Sequence, residues 1–484
     1  MNYPILARYL GQFFLFFGLC LLPGAAWSLV HLEWRPLAAF FAAMAVSGSL
    51  GGVLWFLGRR AEGRMYNREA LALVGVGWLV AAAIGGLPFW IGGMFGNPVD
   101  AYFESMSGFT TTGASVLVDI EAASKGLVFW RSFTHWLGGM GIIVLFISIL
   151  PYLGAGGKQL FKNESPGPDP RGLAPKIRDT ASILWKIYVA MTVVLAVILM
   201  LEGLSLHDAL CHSFGTVATG GFSTRNASVA AYSSVGIELT LIVFMVLAGT
   251  NFSLFFAVWG RDWKALVRDP EWRAYILVLF LATAAITADL WFEGAVDGLA
   301  SALRGAGFST VSVMTTTGFG TADFDRWPDF SRAVLLLLMF IGGCAGSTGG
   351  GLKVIRLLIL WKVAWERLHK AWSPRTVRTI KIGNDIISPE VQHTVLVFFL
   401  LFLAAFAVGT LTMAALGLDL ISAFSATAAT INNIGPGLGV VGPTSSYADL
   451  PTAGKAVLSL MMAIGRIELF AILVLFSPGF WRKN

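Results

Sequence analysis

The stretch TTTGA, from Thr110 to Ala114, is rich in hydroxyl groups and contains a glycine, yet it stands between long apolar runs. Related stretches return three times, as VATGGFST at 217–224, TTTGFGT at 315–321 and NNIGPG at 432–437. Glycine adopts backbone dihedrals that other residues avoid, so successive carbonyl groups can turn toward one axis and replace the water shell of a cation. The four copies therefore predict four loops that meet around a single pore axis.

The predicted ligands of this ion filter are the backbone oxygens of the four loops, together with threonine hydroxyl groups. The residues are Thr111, Thr112 and Gly113; Ala218, Thr219 and Gly220; Thr316, Thr317 and Gly318; and Asn433, Ile434 and Gly435. The fourth loop differs most from the others, because it has no threonine and Pro436 follows its glycine. An ordinary helix C-cap or tight turn stays open as the alternative for any single loop, above all for the fourth.

The composition is that of a membrane protein. Of 484 residues, 56% are hydrophobic and 13% are charged, whereas a soluble chain carries roughly 25% charged residues. Apolar runs of about 20 residues, long enough to cross a bilayer, recur throughout. The net charge of +6 is read as membrane topology, since no soluble face is left for binding nucleic acid. The cysteines Cys20, Cys211 and Cys344 suit neither a disulfide framework nor a zinc site.

The order of apolar segments predicts an all-α membrane protein with an N-terminal transmembrane hairpin and four parallel repeats around one pore. Each repeat reads as a span, a re-entrant half-helix, a filter loop and a second span, which gives about ten spans in all. Acids near the half-helix starts are predicted to cap them: Asp100, Asp208, Asp297 and Asp419. The predicted units are 1–62 for the hairpin, 63–155 for repeat 1, 156–265 for a linker and repeat 2, 266–372 for repeat 3 with a gate loop, and 373–484 for repeat 4.

Charge predicts the orientation of these repeats. Basic clusters follow the hairpin and each repeat, so the positive-inside rule places all of them, and both termini, in the cytoplasm. Inverted repeats would have put basic clusters on both sides. The opposite side is richer in acids, which are expected to concentrate cations at the mouth. These acids are Asp100, Glu121, Asp289, Glu293, Asp323, Asp325 and Asp329.

A second glycine-rich stretch, GGCAGSTGGGLK from Gly342 to Lys353, interrupts the last span of repeat 3. Each interior glycine costs a helix about 1 kcal/mol relative to alanine, so we expect a flexible loop inside the membrane, just below the filter. A phosphate-binding loop does not fit, because Leu352 separates the last glycine from the lysine. A glycine-rich packing kink between helices stays open as the alternative.

The predicted gate residues are Gly346, Gly349, Gly350, Lys353 and Arg466. Arg466 lies in the apolar run of the last span, where a charge is costly and suggests function. Its alternative is a structural ion pair, with Glu468 as a candidate although two residues apart on a helix do not face each other. Lys353 could instead extend its ammonium group to the membrane interface. Glu104 and His135, buried by position, are expected to be hydrogen-bonded packing groups rather than ion ligands.

The repeat frame and the loops TTTGAS, ATGGFST, TTTGFGT and NNIGPG resemble the Trk/Ktr/HKT superfamily of potassium transporters over essentially the whole chain. The extra N-terminal hairpin resembles the TrkH branch. Sodium-carrying HKT members often have serine where this chain has Gly113, so the resemblance favours potassium. It also implies a bacterial inner (cytoplasmic) membrane location, a homodimer, a TrkA-type cytoplasmic nucleotide-binding regulator, and a gate formed by Gly342–Gly351 with Arg466.

The expected function is therefore potassium uptake, with K⁺ as the transported ion, no cofactor and no enzymatic chemistry. The alternative is a sodium- or proton-coupled solute or cation symporter with broken helices. Such a symporter is expected to have intramembrane acids and inverted repeats. A non-transporting membrane scaffold would leave the four hydroxyl- and glycine-containing loops unexplained. Whether transport is passive or coupled to protons or sodium stays open at this point.

Overall fold

The computed structural model of the chain describes residues 1–61, 65–141, 177–375, 379–383, 385–467 and 469–482. The predicted boundary at 62–63, the end of the predicted span 127–150, and all of the predicted linker 152–180 except its last four residues lie outside them. In chain order the helices are α1 (Tyr3–Cys20), α2 (Leu22–Val30), α3 (Trp34–Gly58), α4 (Asn67–Ile91), α5 (Pro98–Phe109), α6 (Lys125–Gly139), α7 (Ile177–Leu201), α8 (Leu206–Val217), α9 (Val235–Ala248), α10 (Phe252–Trp259), α11 (Lys264–Arg268), α12 (Pro270–Phe292), α13 (Gly298–Met314), α14 (Asp329–Met339), α15 (Val354–Trp372), α16 (Pro389–Ala415), α17 (Leu420–Ile431), α18 (Thr452–Arg466), α19 (Leu469–Leu473) and α20 (Pro478–Trp481). A two-residue antiparallel pair, β1 (Lys381–Ile382) and β2 (Asp385–Ile386), lies between α15 and α16.

The N-terminal hairpin is formed by α1 and α2 running out and α3 running back, as predicted. Glycines let α1 and α3 approach closely: a Cβ added at Gly11 would lie 2.3 Å from the backbone nitrogen of Trp55. Gly58 is equally confined, 2.4 Å from the nitrogen of Arg8. Small residues allow this backbone-to-backbone packing between membrane helices. The hairpin covers α4, which is 67% buried over its apolar window, against 22–33% for the spans α7, α12 and α16.

Four long apolar helices, α4, α7, α12 and α16, open the four repeats. Each is followed by a shorter buried helix, and α5, α8 and α17 have 12 residues each. At 1.5 Å per residue, 12 residues reach about 18 Å, too short for a hydrocarbon core of about 30 Å. The predicted half-helices are therefore present, and α13, with 17 residues, is the longest of them, as expected.

The prediction that acids cap the half-helices is correct only for Asp419, whose side chain accepts from the Ser422 amide. Asn97 and Ser205 cap α5 and α8 instead. Asp297 precedes α13 without a side-chain capping bond. The other two predicted caps have different partners within the fold. Asp100 pairs with Lys455 at 2.7 Å, and Asp208 accepts hydroxyl hydrogen bonds from Ser205 and Thr224.

The helices that begin the second spans are short. The helices α6, α9, α14 and α18 have 11 to 15 residues each. Glycine lies at or near each of these ends, and α9 turns by 94° into α10 after Gly249. Within the described residues, six helices are long and apolar enough to cross a membrane, or seven if the bent pair is one span.

Candidate functional site

The four half-helices end in one shared backbone shape. Their C-cap residues are Thr110, Ala218, Thr315 and Asn432. The next residue is left-handed in every loop: φ is 53° at Thr111, 55° at Thr219, 60° at Thr316 and 56° at Asn433. Two residues later a glycine has positive φ: 80° at Gly113, 77° at Gly221, 80° at Gly318 and 97° at Gly435. Residues with a side chain rarely adopt a positive φ. Its occurrence at the same position of all four loops therefore indicates that the loops have the same backbone conformation.

The backbone hydrogen bonds of the loops repeat as well. In each loop the second residue after the C-cap donates its N–H to a carbonyl five residues earlier in the half-helix. The pairs are Thr112 to Ser107 at 2.9 Å, Gly220 to Gly215 at 2.7 Å, Thr317 to Ser312 at 2.9 Å, and Ile434 to Ala429 at 2.8 Å. This bond turns the chain back on itself directly after the half-helix. The four loops are therefore equivalent in geometry although their sequences differ.

This equivalence corrects the register of the second loop. Sequence comparison matched Ala218, Thr219 and Gly220 to Thr111, Thr112 and Gly113, but the matching backbone residues are Thr219, Gly220 and Gly221. Gly220 and Gly221 are adjacent, so the sequence pattern fits the second loop in two registers. The available signal was the residue after the glycine, because Gly221-Phe222 corresponds to Gly318-Phe319 in the third loop.

The four glycines and their neighbours form a closed ring. A Cβ added at Gly113 would lie 2.2 Å from the carbonyl oxygen of Gly220, in the second loop. A Cβ added at each of the other three glycines would also lie close to a carbonyl oxygen of the next loop. The distances are 1.9 Å from Gly221 to Thr317, 1.9 Å from Gly318 to Ile434, and 2.7 Å from Gly435 to Thr112. Each loop therefore contacts the next, and the fourth returns to the first. Four equivalent carbonyl groups are thereby held together around one axis, and only glycine leaves room for them.

Hydrogen bonds outside the glycine contacts join each loop and the residues around it to the neighbouring repeat. The pairs are Arg131 to the Ser223 carbonyl at 3.1 Å, the Ala230 amide to the Gly320 carbonyl at 3.2 Å, the Gly439 amide to Asp325 at 3.2 Å, and the Tyr447 amide to the Ser115 carbonyl at 2.8 Å. Within the ring, the Asn433 amide group also donates to the Thr112 hydroxyl at 2.9 Å. Hydrogen bonds within the protein thus join each loop to the next.

A buried ion pair supports the first two loops. The Arg131 guanidinium lies 2.5 Å from Glu104, and both side chains are at most 2% exposed. Glu104 also accepts from the Ser115 hydroxyl and the Val116 amide, just after the first filter glycine. Arg131 stacks 3.5 Å from the centre of the Phe222 ring in the second loop. The prediction of Glu104 as a hydrogen-bonded packing group fits this geometry.

His135 belongs to the same support. Its Nδ1 lies 2.8 Å from the Gly108 carbonyl, in the first half-helix. Its ring stacks on Phe222 at 4.0 Å between ring centres. A Cβ added at Gly220 would meet the His135 ring at 2.4 Å, so the histidine also determines how close the second loop can come.

The glycine-rich stretch Gly342–Lys353 forms a loop between α14 and α15, as predicted. It lies against the C-cap side of the loop ring, which is called the inner end below. The Gly350 amide donates to the Thr316 hydroxyl at 2.7 Å. A Cβ added at Gly350 would lie 2.7 Å from the Asn432 carbonyl, so the loop also touches the fourth filter loop.

Both predicted basic gate residues contact this loop. The Lys353 ammonium group donates to the Gly349 carbonyl and, at 3.4 Å, to that of Gly350. Arg466 donates to the Thr348 carbonyl at 2.6 Å. It also donates to the carbonyls at the end of α6: Gly138 at 2.7 Å and Gly139 at 2.6 Å. Its charge therefore complements the C-terminal dipole of α6. The alternative partner Glu468 lies outside the described residues.

Two further residues form contacts that hold the loop, and the sequence pattern did not indicate either of them. One Glu271 oxygen accepts from the amides of Ala345, at 2.7 Å, and Ile355, at 3.0 Å, so it joins the two flanks of the loop. Thr348 donates to the Val217 carbonyl, at the end of the second half-helix, at 2.9 Å. An acid in the first turn of a span was the only available signal for Glu271, and an N-terminal acid is common in helices.

Five of the acids predicted to enrich the outer mouth in cations have basic partners within 4 Å. The pairs are Asp100 with Lys455, Glu121 with Arg225, Asp323 with Arg326, and both Asp325 and Asp329 with Arg332. This pairing reduces the net negative charge on which the prediction relied. Within the described ranges, no group of three or more His, Cys, Asp or Glu side chains is placed to hold a metal ion.

These features define a class: an α-helical membrane protein whose four repeats bring four equivalent loops to one axis. The TrkH family, described as cation transport protein, matches residues 36–483. The chain is 42% identical to the Trk system potassium uptake protein TrkH of Salmonella typhimurium and 40% identical to that of Escherichia coli K12, over the full length of each. The crystal structure of the potassium transporter TrkH from Vibrio parahaemolyticus matches with a TM-score of 0.88 at 38% identity, covering both chains completely.

The chain therefore belongs to the TrkH family of cation transport proteins. The family resemblance and the all-α four-repeat fold read from the sequence are confirmed. The unit boundaries at 62, 155, 265 and 372 and the ion-binding roles of the filter residues stay predictions.

Proposed function

We propose that this chain carries potassium across the bacterial inner membrane through the ring of four loops. The relatives named above are potassium uptake proteins, which supports the choice of ion. The observation that carries the proposal is the cyclic order of the glycine contacts, each against a carbonyl of the next loop. A ring of preorganised carbonyl oxygens can replace the hydration shell of K⁺ without a cofactor or covalent chemistry.

In this proposal the potassium ligands come from the first three residues after each C-cap. They are Thr111, Thr112 and Gly113; Thr219, Gly220 and Gly221; Thr316, Thr317 and Gly318; and Asn433, Ile434 and Gly435. Ala218, a C-cap residue, leaves the set, and Gly221 enters it. The family resemblance supports potassium over sodium, because this chain has Gly113 where sodium-carrying members often have serine. A side chain there would also push against the second loop.

The gate in this proposal is the loop Gly342–Gly351, held closed by Lys353 and Arg466. Its contacts with Thr316 and Asn432, at the inner end of the third and fourth filter loops, support this role. Lys353 and Arg466 hold the loop through hydrogen bonds to its carbonyl groups, so movement of α15 or α18 would loosen it. Opening also breaks the hydrogen bonds that join the loop to Glu271, Val217 and Thr316.

We further propose that both termini lie in the cytoplasm, that the protein is a homodimer, and that a TrkA-type nucleotide-binding regulator docks on the cytoplasmic face. Four described basic residues of α15 and the segment after it support such docking, because they are exposed: Lys362, Arg367, Arg375 and Lys381. Arg367, for example, is 77% exposed. Mass measurement of the purified membrane complex, with and without regulator, tests the stoichiometry.

The function is tested by ion flux into proteoliposomes containing the purified chain, under an imposed potassium or sodium gradient. Potassium-selective flux supports the proposal, and equal flux of both ions contradicts the selectivity assigned to the ring. Repeating the measurement with an opposing proton or sodium gradient separates passive flow from symport. Potassium accumulation against its own gradient, driven by either ion, would favour the symporter.

A further inference from the structure

The side-chain oxygens at the inner end of the filter differ in their hydrogen bonding. Thr111, Thr316 and Asn433 occupy equivalent places, the first residue after the C-cap of loops 1, 3 and 4. Among the described residues, the Thr111 hydroxyl and the Asn433 side-chain oxygen are buried and have no hydrogen-bond partner. The Thr316 hydroxyl, by contrast, accepts the amide hydrogen of Gly350 at 2.7 Å. Unpaired buried oxygens are rare and call for an explanation, such as an ion or a water molecule.

The gate loop places hydrogen-bond donors beside the Thr316 hydroxyl oxygen. An amide N–H presents its positive end, and the Lys353 ammonium group donates to the carbonyls of Gly349 and Gly350 beside it. A cation at this level would have the Thr316 oxygen as a ligand, the same atom that accepts from the Gly350 amide. The positive charge of Lys353 would add repulsion between the loop and a cation in this buried site. The loop and the ion are therefore in competition for the same oxygen.

We propose that the Thr316 hydroxyl is shared between filter and gate. It is a ligand of the cation at the inner end of the filter when the loop is withdrawn, and the acceptor for Gly350 when the loop is closed. Ion occupancy at the inner end and closure of the loop exclude each other, so potassium entering the filter helps to open the gate. This inference rests on the proposed function and adds a regulation to it.

The pseudo-fourfold arrangement supplies a matched pair of variants. Thr316→Val removes both the ligand and the acceptor for the gate. Thr111→Val removes an equivalent ligand from the ring, at a residue that makes no hydrogen bond to the gate loop within the described part of the chain. Thr316→Ser keeps the hydroxyl group and is the rescue control. Any difference between the two valine variants therefore reports on the gate contact rather than on loss of a hydroxyl group from the filter.

Hydrogen exchange of the gate loop, measured by mass spectrometry on the full-length protein, is the readout. In potassium-free choline chloride, Thr316→Val should raise exchange in peptides covering 345–353 by about fivefold, the equivalent of one net hydrogen bond. Thr111→Val and Thr316→Ser should exchange like the wild type. Potassium chloride should raise loop exchange in the wild type, with little effect in Thr316→Val, whose loop is already released.

Three results overturn the inference. The first is equal exchange in both valine variants without potassium. The second is potassium-independent exchange in a protein that still transports potassium, which rejects the shared ligand and leaves the proposed function intact. The third is a wild-type protein that neither transports potassium nor changes its loop exchange with potassium. This result rejects the proposed function together with the inference. Gly350→Ala, whose Cβ would lie 2.7 Å from the Asn432 carbonyl, provides a second test: it should raise exchange with every filter residue unchanged.

Discussion

Replacing Gly318 by alanine tests the ring directly. Gly318 has φ of 80°, and its added Cβ would lie 1.9 Å from the carbonyl oxygen of Ile434, where real Cβ contacts stay above 3.0 Å. The two groups must therefore separate by more than 1 Å, which displaces one of the four carbonyls. The left-handed backbone alone costs alanine roughly 1–2 kcal/mol, and each 1.4 kcal/mol is about tenfold in an equilibrium. We expect at least about a tenfold loss of potassium flux.

Gly320 is the control for this variant, because it lies two residues further in the same loop. A Cβ added there meets no heavy atom within 4 Å, and its φ is not positive. Gly320→Ala should therefore transport potassium at the wild-type rate. The assay is the initial rate of potassium entry into proteoliposomes, with equal amounts of folded protein confirmed by size-exclusion chromatography. A Gly318→Ala rate within about twofold of the wild type would refute the role of the glycine ring.

Three further outcomes are expected. Gly113→Ser should lower the potassium-to-sodium flux ratio, because its Cβ meets the second loop at 2.2 Å; a ratio equal to that of the wild type would count against the filter. Glu104→Gln should lower the free energy of unfolding by about 3–5 kcal/mol, since Arg131 stays buried without its carboxylate, whereas Glu121→Gln, in a half-exposed pair, should cost less than about 1 kcal/mol in chemical unfolding. Deletion of Gly346–Gly350 should raise potassium leak through folded protein, and unchanged or reduced leak would contradict a gate.

The sequence was sufficient for those features that local chemistry determines. Glycine and threonine after a short apolar segment predicted the half-helices and loops, and the glycine run before Lys353 predicted the interruption of the third repeat. These patterns act over a few residues, because glycine limits helix formation wherever it occurs. The second loop shows the limit of this reading: two adjacent glycines satisfy the pattern in two registers, and only the backbone dihedral at Gly221 distinguishes them.

Contacts between repeats could not be read in this way. Arg466 donates to Gly138 and Gly139, more than three hundred residues earlier in the chain. A backbone carbonyl has no residue type, so no pattern in the sequence indicates which one an arginine will reach. The same is true of Glu271, whose partners are the amides of Ala345 and Ile355. The two basic residues that contact the glycine-rich loop, Lys353 and Arg466, were thus predictable from the sequence, and their partners were not.

The ring of four loops is encoded in a single chain, and this has a consequence for its evolution. In an assembly of four identical subunits, one substitution appears at all four positions at once. Here each loop can change alone, provided that the next loop in the cycle still accommodates it. Asn433 illustrates this freedom, since its amide group reaches Thr112 across a seam that the other three loops close differently. Divergence around the ring should therefore proceed in neighbouring pairs, and covariation between side chains that meet where two loops join, such as Asn433 and Thr112, should record it.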